Sequence, residues 1–179
     1  MNPYLRIVLA AVAAVQLGLF SVTANAADDL AVATAKAAKL NQLLHTLRLT
    51  GLEATLKGPG PFTVFAPTDE AFGKLPKGVL FRLLQPENKQ QLTAVLNYHV
   101  VPGDYPSERL MKAKSRQFAL KTVEGASLEF NVRGAIKAGE ATVSQGEIRA
   151  SNGVILQIDT VLMPPKVKAT LAARPSKGS

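Results

Sequence analysis

Four consecutive residues, Gly58-Pro59-Gly60-Pro61, constrain this chain more than any other feature. Two prolines remove two backbone donors, and two glycines release the backbone from its right-handed bias. No helix interior or central strand runs through such a block. The segments on its two sides are therefore separate elements, and their patterns differ. Upstream, Leu40, Leu43, Leu44 and Leu47 fall at i, i+3, i+4 and i+7, one apolar face of a helix. Asp28 to about Lys57 reads as helix, with Asp28 and Asp29 at its start, where carboxylates cap free donors and meet the positive end of the dipole. Thr50-Gly51 marks a break, with a further helical turn at Leu52–Leu56. Downstream, Phe62-Thr63-Val64-Phe65-Ala66 is β-branched and aromatic and too short for a helix, so it reads as a buried strand.

The strand feeds directly into a helix. Thr68 is placed to cap it, and Asp69 and Glu70 put negative charge in its first turn. Pro76-Lys77-Gly78 ends it, Val79–Leu84 starts another, and Pro86 opens a third that continues through Glu87–Asn97 with Leu92, Val95 and Leu96 on one side. Tyr98-His99-Val100-Val101 then reads as a strand ended by Pro102-Gly103, and Ser107 as the cap of a short helix reaching Met111. Period-2 segments follow: Leu128, Phe130 and Val132 alternate with polar residues, and Ala141–Ser144, Glu147–Ala150 and Val154–Ile158 continue the style. Asn152-Gly153 between the last two predicts a hairpin with a type I′ turn. Helices early and antiparallel strands late make an α+β pattern, with no internal repeat.

The first 26 residues carry an export pattern. Arg6 supplies positive charge, Ile7 to Phe20 is a 14-residue apolar run broken only by Gln16 and Gly18, and Ala24-Asn25-Ala26 offers small residues for cleavage between Ala26 and Ala27. The run is shorter than the roughly 20 residues a membrane span needs, so the expectation is a signal peptide and no transmembrane anchor in the mature form. Removal leaves 153 residues with 20 Lys+Arg against 13 Asp+Glu, a net charge of +7. That length fits one domain able to bury a core without staples. The absence of Cys excludes disulfides, thiolate metal sites and Cys nucleophiles. The expected location is secreted or periplasmic. A basic tail, residues 166–179, holds Lys166, Lys168, Arg174 and Lys177 with no acid and is expected to be loose; without it the charge falls to +3.

Three segments together resemble the fasciclin (FAS1) family. Gly58–Phe72 resembles its first signature, Leu96–Gly103 its tyrosine–histidine motif, and Ser151–Pro164 its second signature, in the family's order and spacing. The resemblance covers about Asp28 to Pro165, so residues 27–165 are expected to form one FAS1 domain of the single-domain secreted bacterial type. It implies a wedge-like β-sheet assembly packed against several helices. It also implies non-catalytic extracellular work, adhesion or contact with an extracellular or envelope protein. One departure matters: where the second signature usually carries His, this chain has Gln157, and an amide does not titrate near neutral pH.

The candidate binding residues are Tyr98, His99, Gln157 and Asp159. Tyr98 and His99 match a motif that the family links to adhesion. In a strand their side chains would face opposite ways, one of them into the core, where a hydrogen-bonded structural role outweighs an interaction role. Asp159 reads mainly as a hydrogen-bonded structural acid. Gln157 stands beside the apolar Val154, Ile155, Leu156 and Ile158 and suggests the alternative function, an apolar small ligand such as a carotenoid or lipid. Asp69 and Glu70, adjacent on a helix, do not face one another and form no acid–base pair. No nucleophile elbow, zinc-protease helix or phosphate loop is present, so no catalytic residue, metal or cofactor is expected. Arg109, Lys112, Lys114, Arg116 and Lys121 form a basic cluster suited to an anionic surface polymer. Phe118 alone among them offers no stacking platform for bases, so no nucleic acid is expected.

Overall fold

The computed structural model describes residues 28–173. Helices α1 (Leu30–Lys36), α2 (Asn41–Thr50) and α3 (Glu53–Leu56) precede strand β1 (Phe62–Pro67). Helices α4 (Asp69–Gly73) and α5 (Val79–Leu83) follow, then a 3-10 turn at Pro86–Asn88 that leads into α6 (Lys89–Tyr98). Next come β2 (Val100–Pro102), α7 (Ser107–Met111), β3 (Gln117–Lys121), β4 (Ser127–Asn131), β5 (Lys137–Ala138), β6 (Ala141–Ala150), β7 (Gly153–Ile158) and α8 (Pro165–Ala173). Arg6, Ile7–Phe20, the Ala26–Ala27 junction, Arg174 and Lys177 lie outside the described residues.

The seven strands form one mixed sheet in the order β2-β1-β7-β6-β5-β4-β3. Strands β1 and β7 run parallel, Phe62 beside Gly153 through Pro67 beside Ile158, and every other pair is antiparallel. The near-continuous apolar run of these two strands follows from their position, because both their faces are covered. Val64, Ala66 and Ile155 face a core built with α1, α2 and α6. Phe65, Val154, Leu156 and Ile158 face a second core built with Leu110, Leu128, Phe130 and Leu162.

Several expectations change. The first helical stretch breaks once more than its leucine spacing indicates: Ala37 is already extended, and Lys39 takes φ 69° between α1 and α2. Asp29 caps α1 by accepting from Val32 N–H at 2.9 Å. Tyr98 is the last residue of α6 and His99 its C-cap, so neither lies in a strand. The stripe of Leu92, Val95 and Leu96 continues through Tyr98, and the His99 ring bonds back one turn, which carries the helix past Asn97. Ser107 is the first helical residue of α7 rather than its cap. Pro106 holds the cap position, and Ser107 N–H donates to Glu147 Oε2 at 2.9 Å.

The two pieces expected at Ala141–Ser144 and Glu147–Ala150 are one strand, β6, with a register shift between Val143 and Glu147. The hairpin is present, but Ala150 pairs with Gly153, so its central residues are Ser151 and Asn152. Among the described non-glycine residues only Lys39 has positive φ, so the turn is not type I′. Gly153 begins β7 instead, and a Cβ there would overlap the Phe62 carbonyl. A Cβ on Gly60 would likewise overlap the Asn152 carbonyl, so these glycines permit two backbones to touch. The tail expected to be loose is helical as far as Ala173. Pro165 opens α8, Val167 is buried in the first core, and Lys168 reaches Glu140 at 2.8 Å.

Candidate functional site

The tyrosine–histidine pair sits where α6 meets the sheet, and both side chains are buried. His99 Nε2 accepts from Leu162 N–H at 3.0 Å. That nitrogen therefore carries no proton. The proton is on Nδ1, which donates to the Val95 carbonyl at 2.7 Å. Burial pushes the ring's pKa down to about 4 against a smaller upward pull from the Val95 bond, so it is neutral near pH 7. The His99 carbonyl accepts from Phe65 N–H at 2.8 Å, which joins α6 to β1. One residue thus ties together helix α6, strand β1 and the segment after β7. Tyr98 donates from its hydroxyl to the Ser127 carbonyl at 3.2 Å, bridging α6 to β4. Burial raises its pKa, with the charges of Glu124 and Glu129 adding to the effect.

Asn152 is a second junction, read from the sequence only as a turn residue. Its Oδ1 accepts from Leu30 N–H at 2.8 Å, at the start of α1. Its Nδ2 donates to the carbonyls of Leu56 at 2.7 Å and Gly58 at 2.9 Å. Its backbone carbonyl accepts from Phe62 N–H at 3.0 Å. The glycine–proline block is pinned by this one side chain. Thr63, fully buried, donates to the Gly103 carbonyl at 2.7 Å and accepts from Tyr105 N–H at 2.9 Å, fixing the loop after β2.

Asp69 belongs to the first turn of α4, yet its carboxylate caps a different helix. It accepts from Gln42 N–H at 2.8 Å and from the Asn41 side chain at 2.9 Å, at the start of α2. Desolvation, the largest single influence, pulls its pKa up, and these bonds together hold it below the usual carboxylate range. Thr68 Oγ1 caps α4 as expected, accepting from Ala71 N–H at 3.3 Å.

Asp159 behaves in the same way. Desolvation pulls its pKa up, but Thr142 N–H at 2.8 Å, the Thr160 hydroxyl at 3.1 Å and Lys74 at 3.5 Å outweigh it and keep the group ionised. Gln157 and Asp159 line one shallow cleft of about 410 Å³ with Lys39, Glu70, Lys74 and Ser144. Its lining is mostly charged and polar, with Ile158 as its one large apolar residue, while Val154, Ile155 and Leu156 are packed inside the cores. Tyr98 lines a different depression, between β4 and the segment Val161–Pro165. The four candidates are therefore not brought to one place.

Of the basic cluster, Arg109 is on α7 and Lys121 on β3, with Lys112, Lys114 and Arg116 in the segment between them. Lys112 pairs with Glu108 at 2.5 Å, and the Arg109 guanidinium stacks 4.9 Å from the Tyr105 ring centre. Beside them runs a groove of about 680 Å³ with Tyr105, Leu110, Phe118 and Leu120 in its lining. Among the described residues, no group of three or more His, Asp or Glu is placed to hold a metal ion, and no helix is long and apolar enough to cross a membrane.

Comparison with known proteins places these junctions in context. The family model described as "Fasciclin domain" matches residues 38–164. The chain is similar to Protein sll1483 of Synechocystis sp., with 40% identity over 150 residues and 81% of each chain covered. It is also similar to Immunogenic protein MPB70 of Mycobacterium bovis, with 35% identity over 156 residues, 83% of this chain and 75% of that one. Among solved structures it resembles a FAS1 domain pair from the insect cell adhesion molecule Fasciclin I. That likeness has a TM-score of 0.59 and 22% identity, over 76% of this chain and 50% of the pair. The α+β fold is thus the FAS1 fold, and the chain belongs to the fasciclin domain family.

Proposed function

We propose that this protein is an exported, non-catalytic interaction domain that adheres to an extracellular or envelope protein. The observation that carries the reading is how the signature side chains are used. His99, Asn152, Thr63 and Asp159 all bond to backbone groups of other elements. Their polar atoms hold the scaffold together, and contact is left to the surface. Membership in a family with a solved FAS1 domain pair from an insect cell adhesion molecule supports the same reading. The export pattern of residues 1–26 supports work outside the cytoplasm. The charged cleft beside Gln157 suits a polar contact better than a carotenoid or lipid.

The test is capture by the immobilised protein from envelope and culture-medium fractions. A saturable protein partner is expected, and it should be lost when Lys114, Arg116 and Lys121 are reversed to Glu. Retention no greater than on that charge-reversed variant overturns the proposal. Release of product from an envelope extract by the purified protein would overturn its non-catalytic part.

A further inference from the structure

The outer edge of the sheet is open along β3 itself, while just past its end Val123 N–H donates to the Val100 carbonyl of β2 at 2.8 Å. Strand β3 is last in the order and pairs only with β4. Which of its backbone groups are free follows from the alternation of an antiparallel ladder. Val132 N–H bonds to the Arg116 carbonyl at 2.9 Å, and Thr122 N–H to the Ala126 carbonyl at 3.0 Å. Residues 116, 118, 120 and 122 therefore face β4, and 117, 119 and 121 face away. The Glu129 carbonyl opposite Ala119 agrees, because it turns to Gly139 N–H at 2.7 Å on β5. Gln117 is already occupied: Ser115 Oγ donates to its carbonyl at 2.5 Å and receives its N–H at 3.3 Å. The N–H and C=O groups of Ala119 and Lys121 have no partner among the described residues.

The groove of about 680 Å³ opens on that side, since it is lined from α7 and β3 and not from β4. Tyr105, Leu110, Phe118 and Leu120 give it an apolar floor, and Lys114 stands at its rim. Lys114, Arg116 and Lys121 have no acid partner among the described residues, whereas Glu108 in the groove wall is taken by Lys112. A free edge, an apolar floor and unpaired cations thus coincide. A second copy pairing through the same strand would set these cations against their own kind, so self-association is disfavoured.

Resting on the proposed role as an interaction domain, we infer that the β3 edge accepts an extended acidic segment of a partner protein as an eighth strand. Alternate apolar side chains of that segment enter the groove, and its Glu or Asp residues face Lys114, Arg116 and Lys121. Main-chain bonds at Ala119 and Lys121 supply affinity, and the charge pattern supplies selectivity.

The test measures fluorescence anisotropy of the purified protein with a labelled peptide alternating Glu and Val over about eight residues, the span of an ordinary strand. Saturable binding is expected, with none for the Lys-for-Glu peptide. N-methylation of alternate peptide amides, which blocks edge pairing, should weaken binding about tenfold or more in one of the two frames. Ala119→Pro should weaken it by a similar factor and leave the β3–β4 ladder intact, because the lost N–H points away from β4. The methylated peptides leave the protein untouched, so the outcome does not hang on how that variant folds. Equal binding of methylated and parent peptides would overturn the strand addition and leave a charge-only surface, as for an anionic polymer. Failure of the parent peptide to bind would overturn it as well. If the envelope partner were still captured in either case, the interaction reading would stand without this edge.

Discussion

The centre of the sheet and its β3 end are built by different means. At the centre, β1 and β7 are covered on both faces and bound at both ends by side chains that reach across the chain. Asn152 bonds to Leu30, Leu56 and Gly58, and His99 to Val95 and Leu162. At the β3 end, the ladder with β4 is backed by apolar packing. Phe118 stacks on Phe130 at 5.2 Å, and Phe130 lies 5.3 Å from Phe65. Apart from the buried Thr122, whose hydroxyl bonds to the nearby Ala126 carbonyl at 2.8 Å, polar side chains of β3 and β4 point outward. The difference teaches that buried polar groups fix one region to a single geometry, while the other end is free to vary on its exposed side.

The comparison can be broken by substitution, and the largest effect belongs to Asn152. Asn152→Ala leaves the Leu30 N–H and two carbonyls without their partner, and should cost roughly 3–4 kcal/mol in urea unfolding. A loss below about 1 kcal/mol would deny that this junction organises the centre. The second test is pH. Folded His99 titrates at about 4, whereas an unfolded His titrates near 6.5. The unfolded chain therefore binds the extra proton first as the pH falls. Stability is full above pH 6.5, declines between 6.5 and 4, and levels off for this group below that. The loss is about 3 kcal/mol over the window, and His99→Phe should abolish the slope while lowering stability at pH 7. Carboxylates held below their usual range, Asp69 and Asp159, lose their contribution at lower pH and do not mimic it.

The outer end gives smaller numbers. Phe118→Ala removes a half-buried ring and its stack on Phe130, and should cost about 2 kcal/mol by the same measurement. Tyr98→Phe removes one hydrogen bond between the two regions and should cost about 1 kcal/mol. Lys121→Ala should change stability by less than about 0.5 kcal/mol, because its side chain is exposed and unpaired among the described residues. A larger loss there would mean that the edge contributes to the scaffold.

The sequence was most informative where short-range physics decides. The strand at Phe62, the Thr68 cap and the α2 stripe of Leu43 and Leu47 all follow from neighbours a few positions apart. It was least informative where the partner is distant. Asn152 meets groups 94 to 122 positions away, and no local pattern marks that. Tyr98-His99-Val100-Val101 has strand composition, yet helix contacts claim its first residue. The α8 helix was hidden by its basic composition, although Val167 and Leu171 are spaced to face one side. Of His99, the sequence shows the residue and not its use: its two ring bonds depend on Val95 and Leu162 arriving together.

The parallel pairing of β1 with β7 has a temporal consequence. Residue 62 has to wait for residue 153, so a growing chain holds β1 with only the three-residue β2 beside it until β7 has been made. Closing so long a loop is slow, and topologies dominated by distant contacts nucleate late. A nascent chain of this kind stays open along one side of β1 for most of its synthesis, and its final shape is set by the last strand to arrive.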